Sequence, residues 1–245
     1  MKFLHNLKNL FLDFLYPPRC LVCRETGPES FCKKCLGSAQ HIIADYCALC
    51  GRVHDYNFNT KAKICRSCQE EKPHFDLARS VVLYDSAIKK SLHHLKFAQK
   101  TSLIYPLGDL MVRHIDRHLP EIKHAGCEML VTVPLSDKRL KQRGFNQCDL
   151  LAEILSSHYN IPFIKNLLSR IRDTQAQYKL SRLERQKNLQ GVFALGSKAV
   201  LPAKRILLLD DIYTTGTTAN ECAKVLKENG AEKVYVLTLS RAVEN

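Results

Sequence analysis

The chain has 245 residues, 45% hydrophobic and 25% charged, and its 37 Lys and Arg outnumber 24 Asp and Glu for a formal net charge of +13. Those proportions exclude wholesale disorder and collagen-like structure, and the length suits one or two packed cores. The basic excess points to a polyanionic partner, without choosing among nucleic acid, a phosphorylated metabolite and an anionic membrane surface.

Within residues 1–18, Phe3, Leu4, Leu7, Leu10, Phe11, Phe14 and Leu15 follow helical spacing on one face, and Pro17-Pro18 ends the pattern. This short amphipathic helix admits two readings: docked on the rest of the protein, or lying at a membrane surface with Lys2, His5 and Lys8 outward. Lys2, Lys8 and Asp13 break up any secretory apolar core, and no stretch nears the roughly 20 apolar residues of a membrane span. A cytoplasmic location is expected, with a peripheral place at the inner membrane under the second reading. Thiols stay reduced there, so closely paired cysteines read as metal ligands.

Eight of the eleven cysteines fall between Cys20 and Cys68, in four CxxC units: Cys20/Cys23, Cys32/Cys35, Cys47/Cys50 and Cys65/Cys68. A CxxC turn sets two thiolates about one tetrahedral edge apart, and two such turns complete a closed Cys₄ shell. The spacing predicts a zinc module over residues 19–74 holding two structural zincs. Iron–sulfur and redox dithiols are the alternatives. Sequential pairing joins Cys20, Cys23, Cys32 and Cys35, then Cys47, Cys50, Cys65 and Cys68; interleaved pairing is the other arrangement. Metal substitutes for a core that so short a segment cannot build. Lys33, Lys34, Arg52, Lys61, Lys63 and Arg66 on or between these units read as solvated surface or as phosphate contacts.

Past Pro73, a plausible hinge, residues 75–245 read as an α/β domain. Candidate strands are Ser80–Tyr84, Met129–Val133, Arg205–Leu209 and Lys233–Leu239. Helical patterns fit Asn146–His158 and Thr217–Asn229, the second ended by Gly230. Short, continuously apolar strands alternating with helices indicate a doubly wound parallel sheet. Residues 169–205 hold nine Lys and Arg against two acids. Cys127, Cys148 and Cys222 lack CxxC partners and read as core or free thiols. His93 and His94 read as surface, as do Asp149 and Glu153.

The most specific segment is Ile206-Leu-Leu-Leu-Asp210-Asp211-Ile-Tyr213-Thr214-Thr215-Gly216-Thr217-Thr218. A buried strand runs into two acids, then a Thr/Gly loop, then a helix. Loop N–H groups, hydroxyls and the helix N-terminus suit a phosphate, whereas the acids suit hydroxyls or Mg²⁺. The ligand expected is a sugar phosphate with a vicinal diol, at the carboxyl end of the strand.

This segment resembles the phosphoribosyl-pyrophosphate (PRPP) loop of type I phosphoribosyltransferases. The resemblance implies that sheet type, with Asp210 and Asp211 on the ribose hydroxyls, Thr214, Thr215, Gly216, Thr217 and Thr218 around the 5′-phosphate, and Mg²⁺ arriving with PRPP. Pro134, Leu135 and Ser136 stand where that family has its pyrophosphate loop, with Lys138 and Arg139 nearby. Tyr213 departs from the usual aliphatic residue. Thr214 replaces the Asp of purine-salvage enzymes, which disfavours 6-oxopurine salvage.

Further residues resemble the ComF family of competence proteins: the four CxxC units, Tyr84, Leu95-Lys96-Phe97, Lys138-Arg139 through Arg143-Gly144-Phe145-Asn146-Gln147, and Arg172, Thr174, Gln175, Gln177, Leu180, Arg185, Asn188, Gly191 and Phe193. Membership implies handling of incoming single-stranded DNA in natural transformation or DNA utilisation, with a DNA-translocating helicase of the uptake machinery as a partner. A basic hood over about 137–193 fits: Arg143, Phe145, Arg170, Arg172, Tyr178, Lys179, Arg182, Arg185 and Lys187 mix cations with aromatics, as strand tracking and base stacking require. Arg143 and Arg172 read equally well as pyrophosphate contacts. The alternative function is phosphoribosyl transfer from PRPP to a nitrogen base, with turnover left open.

Overall fold

The computed structural model describes residues 17–43, 46–53, 64–172, 188–196 and 201–243. The helix expected within residues 1–18, Lys61, Lys63 and the hood residues from Thr174 through Lys187 lie outside them.

Two short helical turns, α1 (Lys33–Gly37) and α2 (Arg66–Glu70), belong to the cysteine-rich region. The α/β domain then runs β1 (Leu77–Leu83), α3 (Ser86–Phe97), α4 (Ile104–His118), a single turn α5 (Pro120–Lys123), β2 (Met129–Thr132), α6 (Asp137–Arg143), α7 (Gln147–Tyr159), β3 (Leu168–Arg170), β4 (Phe193–Leu195), β5 (Arg205–Tyr213), α8 (Thr217–Glu228) and β6 (Lys233–Arg241). Caps set several starts: Asp85, Ser136 and Asn146 accept from the backbone N–H groups of Ile88, Arg139 and Cys148.

The main sheet has the order β1-β6-β5-β2, every pair parallel, and β3 pairs antiparallel with β4 apart from it. Its strands are covered on both faces, which is why they read as unbroken apolar runs. Leu207 and Leu209 of β5 join Leu107, Met111 and Leu151 of α4 and α7 in one core. Ile206 and Leu208 face the other way, onto Ala219, Cys222, Ala223 and Leu226 of α8. Each fully buried Leu or Ile here contributes about 2 kcal/mol of transfer free energy.

Boundaries shift where pairing outruns hydropathy. β5 continues past Leu209 through both acids to Tyr213, because β6 still pairs with it: Asp210 with Thr238, Ile212 with Ser240, Tyr213 with Arg241. β1 begins at Leu77, not Ser80, since Leu77 and Ala78 pair with Tyr235 and Val236. Helix α4, which the sequence reading did not delimit, buries Leu107, Met111 and Ile115.

The cysteine-rich region clasps the β1 edge. Ile42 N–H donates to the Val81 carbonyl (3.0 Å), Leu83 N–H to Gln40 (2.8 Å) and Ala78 N–H to Leu49 (2.7 Å). Pairing an edge strand in this way removes a template for aggregation. Its first half, with Cys20, Val22, Phe31 and Cys35, joins the α4/α7 core, and its second half, with Cys47, Cys50, Cys65 and Cys68, joins the α8 core. At the junction near Pro73, His74 N–H donates to Asn220 Oδ1 (2.7 Å) and the Asp76 carboxylate pairs with Lys227 and Lys233.

Candidate functional site

The acids sit at the carboxyl end of a central strand, but in different surroundings. Asp211 is buried, and its Oδ2 accepts from Lys96 Nζ at 2.6 Å and Gln147 Nε2 at 2.5 Å. Gln147 is braced in turn by Arg143, whose Nη1 donates to Gln147 Oε1 at 3.0 Å while its guanidinium lies 5.6 Å from the Phe97 ring centre. Asp210 is half-buried; burial first, then the charge of Asp211, pushes its carboxyl up to about 7. Its Oδ1 accepts from Asp211 N–H (2.8 Å) and the Cys148 thiol (3.8 Å). Burial and the nearby acids hold that thiol well above its usual range, so it remains a donor.

This places part of the RGFNQ segment inward. Arg143, Asn146 and Gln147 are buried, and Phe145 packs against the α4/α7 core. Arg143 therefore acts here as an internal brace for the acid pair, not as an open cationic surface. Lys96 and Gln147, which entered the sequence reading only through the family resemblance and without a role, are the side chains that meet Asp211. Lys96 carried a signal, standing between buried Leu95 and the exposed ring of Phe97, but only the fold shows which acid it meets.

Beyond Tyr213 the chain turns through Thr214 and Thr215 to Gly216, at φ +78°, and α8 begins at Thr217. A side chain at Gly216 would be strained in that conformation and would collide with the Tyr213 ring. Thr215 and Thr217 hydroxyls hydrogen-bond at 2.9 Å, and α8 has no side-chain N-cap hydrogen bond, so no side chain caps its first N–H groups. Dipole and uncapped N–H groups together suit an anion.

The segment after β2 follows the expected course. Val133 and Ser136 are buried, Pro134 and Leu135 half-buried, and Lys138 and Arg139 lie exposed on the first turn of α6. Asp149, read as surface, is instead 5% exposed. Thr132 Oγ1 and Asn146 Nδ2 donate to its Oδ1 at 2.7 and 3.1 Å, and Lys165 Nζ stands 3.5 Å from Oδ2. It ties the α7 start to β2, whereas Glu153 one turn on is exposed. Of the hood, Arg170 stacks over Phe193 at 5.8 Å and Arg172 Nη2 donates to the Gln190 carbonyl at 2.5 Å. Tyr178, Arg182 and Arg185 lie outside the described residues. His93 is exposed, while Cys148 and Cys222 are buried core thiols.

The eight CxxC thiols gather as two groups, Cys20 with Cys23, Cys32 and Cys35, and Cys47 with Cys50, Cys65 and Cys68, the sulfurs of each within 4.8 Å of one another. Sequential units therefore come together. A tetrahedral zinc with Zn–S near 2.3 Å requires sulfurs about 3.8 Å apart. Cys23 and Cys32 stand 3.7 Å apart, as do Cys50 and Cys65. Backbone N–H groups of Val22 and Cys32 point to Cys20 Sγ (3.4 and 3.5 Å), and that of Cys65 to Cys47 Sγ (3.2 Å), as thiolate acceptors require. All-thiolate shells of this size fit zinc and leave no open position, so the metal's role is structural.

An acid pair and a Thr/Gly turn at the carboxyl end of a parallel sheet, clasped by two four-cysteine centres, define the class. Residues 11–69 match the double zinc ribbon domain family. Competence protein F of Haemophilus influenzae is 32% identical over 230 residues, covering 91% of this chain and 97% of its own length. The DNA utilization protein YhgH of Escherichia coli K12 is 29% identical over 237 residues, covering 93% and 98%. Competence protein ComFC of Bacillus subtilis is 29% identical over 221 residues, covering 87% and 85%. The chain belongs to the competence protein F family. Among solved structures, glutamine PRPP amidotransferase from B. subtilis overlays 60% of this chain and 30% of its own at 18% identity, with a TM-score of 0.37. No helix among the described residues is long and apolar enough to cross a membrane.

Proposed function

We propose that the chain handles single-stranded DNA in competence or DNA utilisation, and that its strand-end site binds PRPP or a related sugar phosphate. The observation that carries this reading is the acid pair opening directly onto an uncapped helix N-terminus through Gly216, in a chain whose relatives are named for competence and DNA utilization. Thr214 to Thr218 take the 5′-phosphate. Asp210, the less buried acid, meets the ribose hydroxyls together with Asp211, which Lys96 and Gln147 hold in place. Mg²⁺, when bound with PRPP, neutralises pyrophosphate charge. Exposed Lys138 and Arg139 at the start of α6 supply pyrophosphate contacts, and the cations of residues 169–205 follow the DNA backbone.

The test is fluorescence anisotropy of a labelled single-stranded oligonucleotide titrated with zinc-loaded protein at two salt concentrations, with and without Mg-PRPP. Salt-sensitive binding that Mg-PRPP weakens is the expected result. Absence of binding at low salt overturns the DNA reading, and a nucleobase panel scored for pyrophosphate release then tests phosphoribosyl transfer. Calorimetry on Asp210→Asn with Asp211→Asn tests the sugar-phosphate reading separately: Mg-PRPP binding is abolished, and unchanged affinity refutes it.

A further inference from the structure

Two buried side chains, Arg241 and Tyr213, connect the second four-cysteine centre with the anion loop. Arg241, the last residue of β6, is 4% exposed and donates through Nη2 to the backbone carbonyl of Cys50. Its guanidinium lies 3.9 Å from the centre of the Tyr213 ring. Tyr213 is also buried, with Phe75 set edge-on at 6.4 Å, and its ring lies under Gly216 so closely that a methyl group there would overlap it. The sequence of contacts is therefore thiolate cluster, Cys50 carbonyl, Arg241, Tyr213, Gly216.

We propose that Arg241 is a positioning residue which makes the geometry of the anion loop depend on metal in the second four-cysteine centre. Arg241 Nε already lacks a hydrogen-bond partner, so losing the Cys50 carbonyl leaves a buried cation with a second unsatisfied donor. The carbonyl is held in place by the knuckle, and the knuckle by β1. Ala78 N–H donates to Leu49, Arg79 Nη1 donates to Ala48 at 3.1 Å, and a Cβ at Gly51 would stand 2.6 Å from the Ala78 oxygen. A metal shared by Cys47, Cys50, Cys65 and Cys68 ties the Cys47–Cys50 turn to the Cys65–Cys68 turn, and without that tie the Cys50 carbonyl is less firmly held. Arg241 then moves, Tyr213 loses the cation packed on its face, and Gly216 loses the surface on which it rests. The first four-cysteine centre belongs to the opposite face, where Ser30 Oγ donates to the Ser102 carbonyl at 2.9 Å beside α4.

The test uses the full chain. Cys65→Ser removes metal from the second centre, and Arg241→Met keeps the metal but removes the donor. Leu107→Ala, a core truncation on the opposite face, controls for general destabilisation. Zinc per chain, hydrogen–deuterium exchange of residues 211–218 and Mg-PRPP affinity are measured on each. Expected are one zinc in Cys65→Ser and two in Arg241→Met. Both should show faster loop exchange and about tenfold weaker Mg-PRPP binding, within the range of typical site-to-site coupling. Leu107→Ala should leave loop exchange as in wild type. Wild-type loop exchange in Arg241→Met overturns the proposal, as does equal loosening in Leu107→Ala. Should Cys65→Ser not fold, Arg241→Met decides. The affinity arm rests on the sugar-phosphate reading above, whereas the exchange arm does not. A wild-type protein indifferent to Mg-PRPP refutes that reading while exchange still tests the coupling.

Discussion

Replacing Asp210 by Asn should change how stability depends on pH, by an amount that follows from the site. The Asp210 carboxyl is pushed up to about 7 by burial and by Asp211, against about 3.9 for an unfolded aspartate. A proton therefore binds the folded state more tightly, so the stability it confers is complete below about pH 3.9 and lost as pH rises through 7. At pH 6 proton binding to a group of pKa 7 contributes about 1.4 kcal/mol to the native state, and at pH 8 less than about 0.1 kcal/mol. Asn cannot ionise, yet keeps Oδ1 as the acceptor for Asp211 N–H. Urea unfolding in zinc-replete buffer at pH 6, 7 and 8 should show wild type losing about 1 kcal/mol that Asp210→Asn retains. Histidines and the zinc centres are common to both proteins and cancel in the comparison. Parallel pH profiles would refute the argument that Asp210 is held neutral by its surroundings. On the proposed sugar-phosphate reading, the same proton must leave before the carboxylate accepts from ribose hydroxyls or binds Mg²⁺. Mg-PRPP affinity should accordingly rise about tenfold between pH 6 and 8.

Cys20→Ser should lower the zinc content from two to one per chain by metal analysis, and two zincs retained would defeat the ligand assignment at the first centre. Gly216→Ala should cost about 1–3 kcal/mol in urea unfolding, because the residue sits at φ +78° against the Tyr213 ring, and should weaken phosphate-ligand binding by calorimetry. Lys96→Met removes the cation from Asp211, where the side chains are 15% and 8% exposed, and should destabilise the fold by about 3 kcal/mol. A stability equal to wild type would mean that Gln147 alone suffices for that carboxylate.

The sequence by itself determined the parallel sheet, the four CxxC units and the turn at Gly216 that leads from β5 into α8. These features are local: a buried parallel strand must be apolar throughout, a zinc knuckle needs its two thiols three residues apart, and a loop that swings into a helix at positive φ needs Gly216. Tertiary structure decided what those residues meet. Nothing in the local pattern says that β5 runs on through its acids, because that depends on β6 pairing beside it. Asp149 looks like helix surface until β2 and Lys165 enclose it. Arg143 looks like open basic surface until α3 brings Phe97 against it and Gln147 carries its effect to Asp211. Lys96 and Asp211 stand far apart in sequence, as do Cys50 and Arg241, and each pair meets only when strands and helices from different parts of the chain close on one another. A buried charge takes whatever partner that closure supplies, since leaving it unpaired costs more than most single contacts contribute.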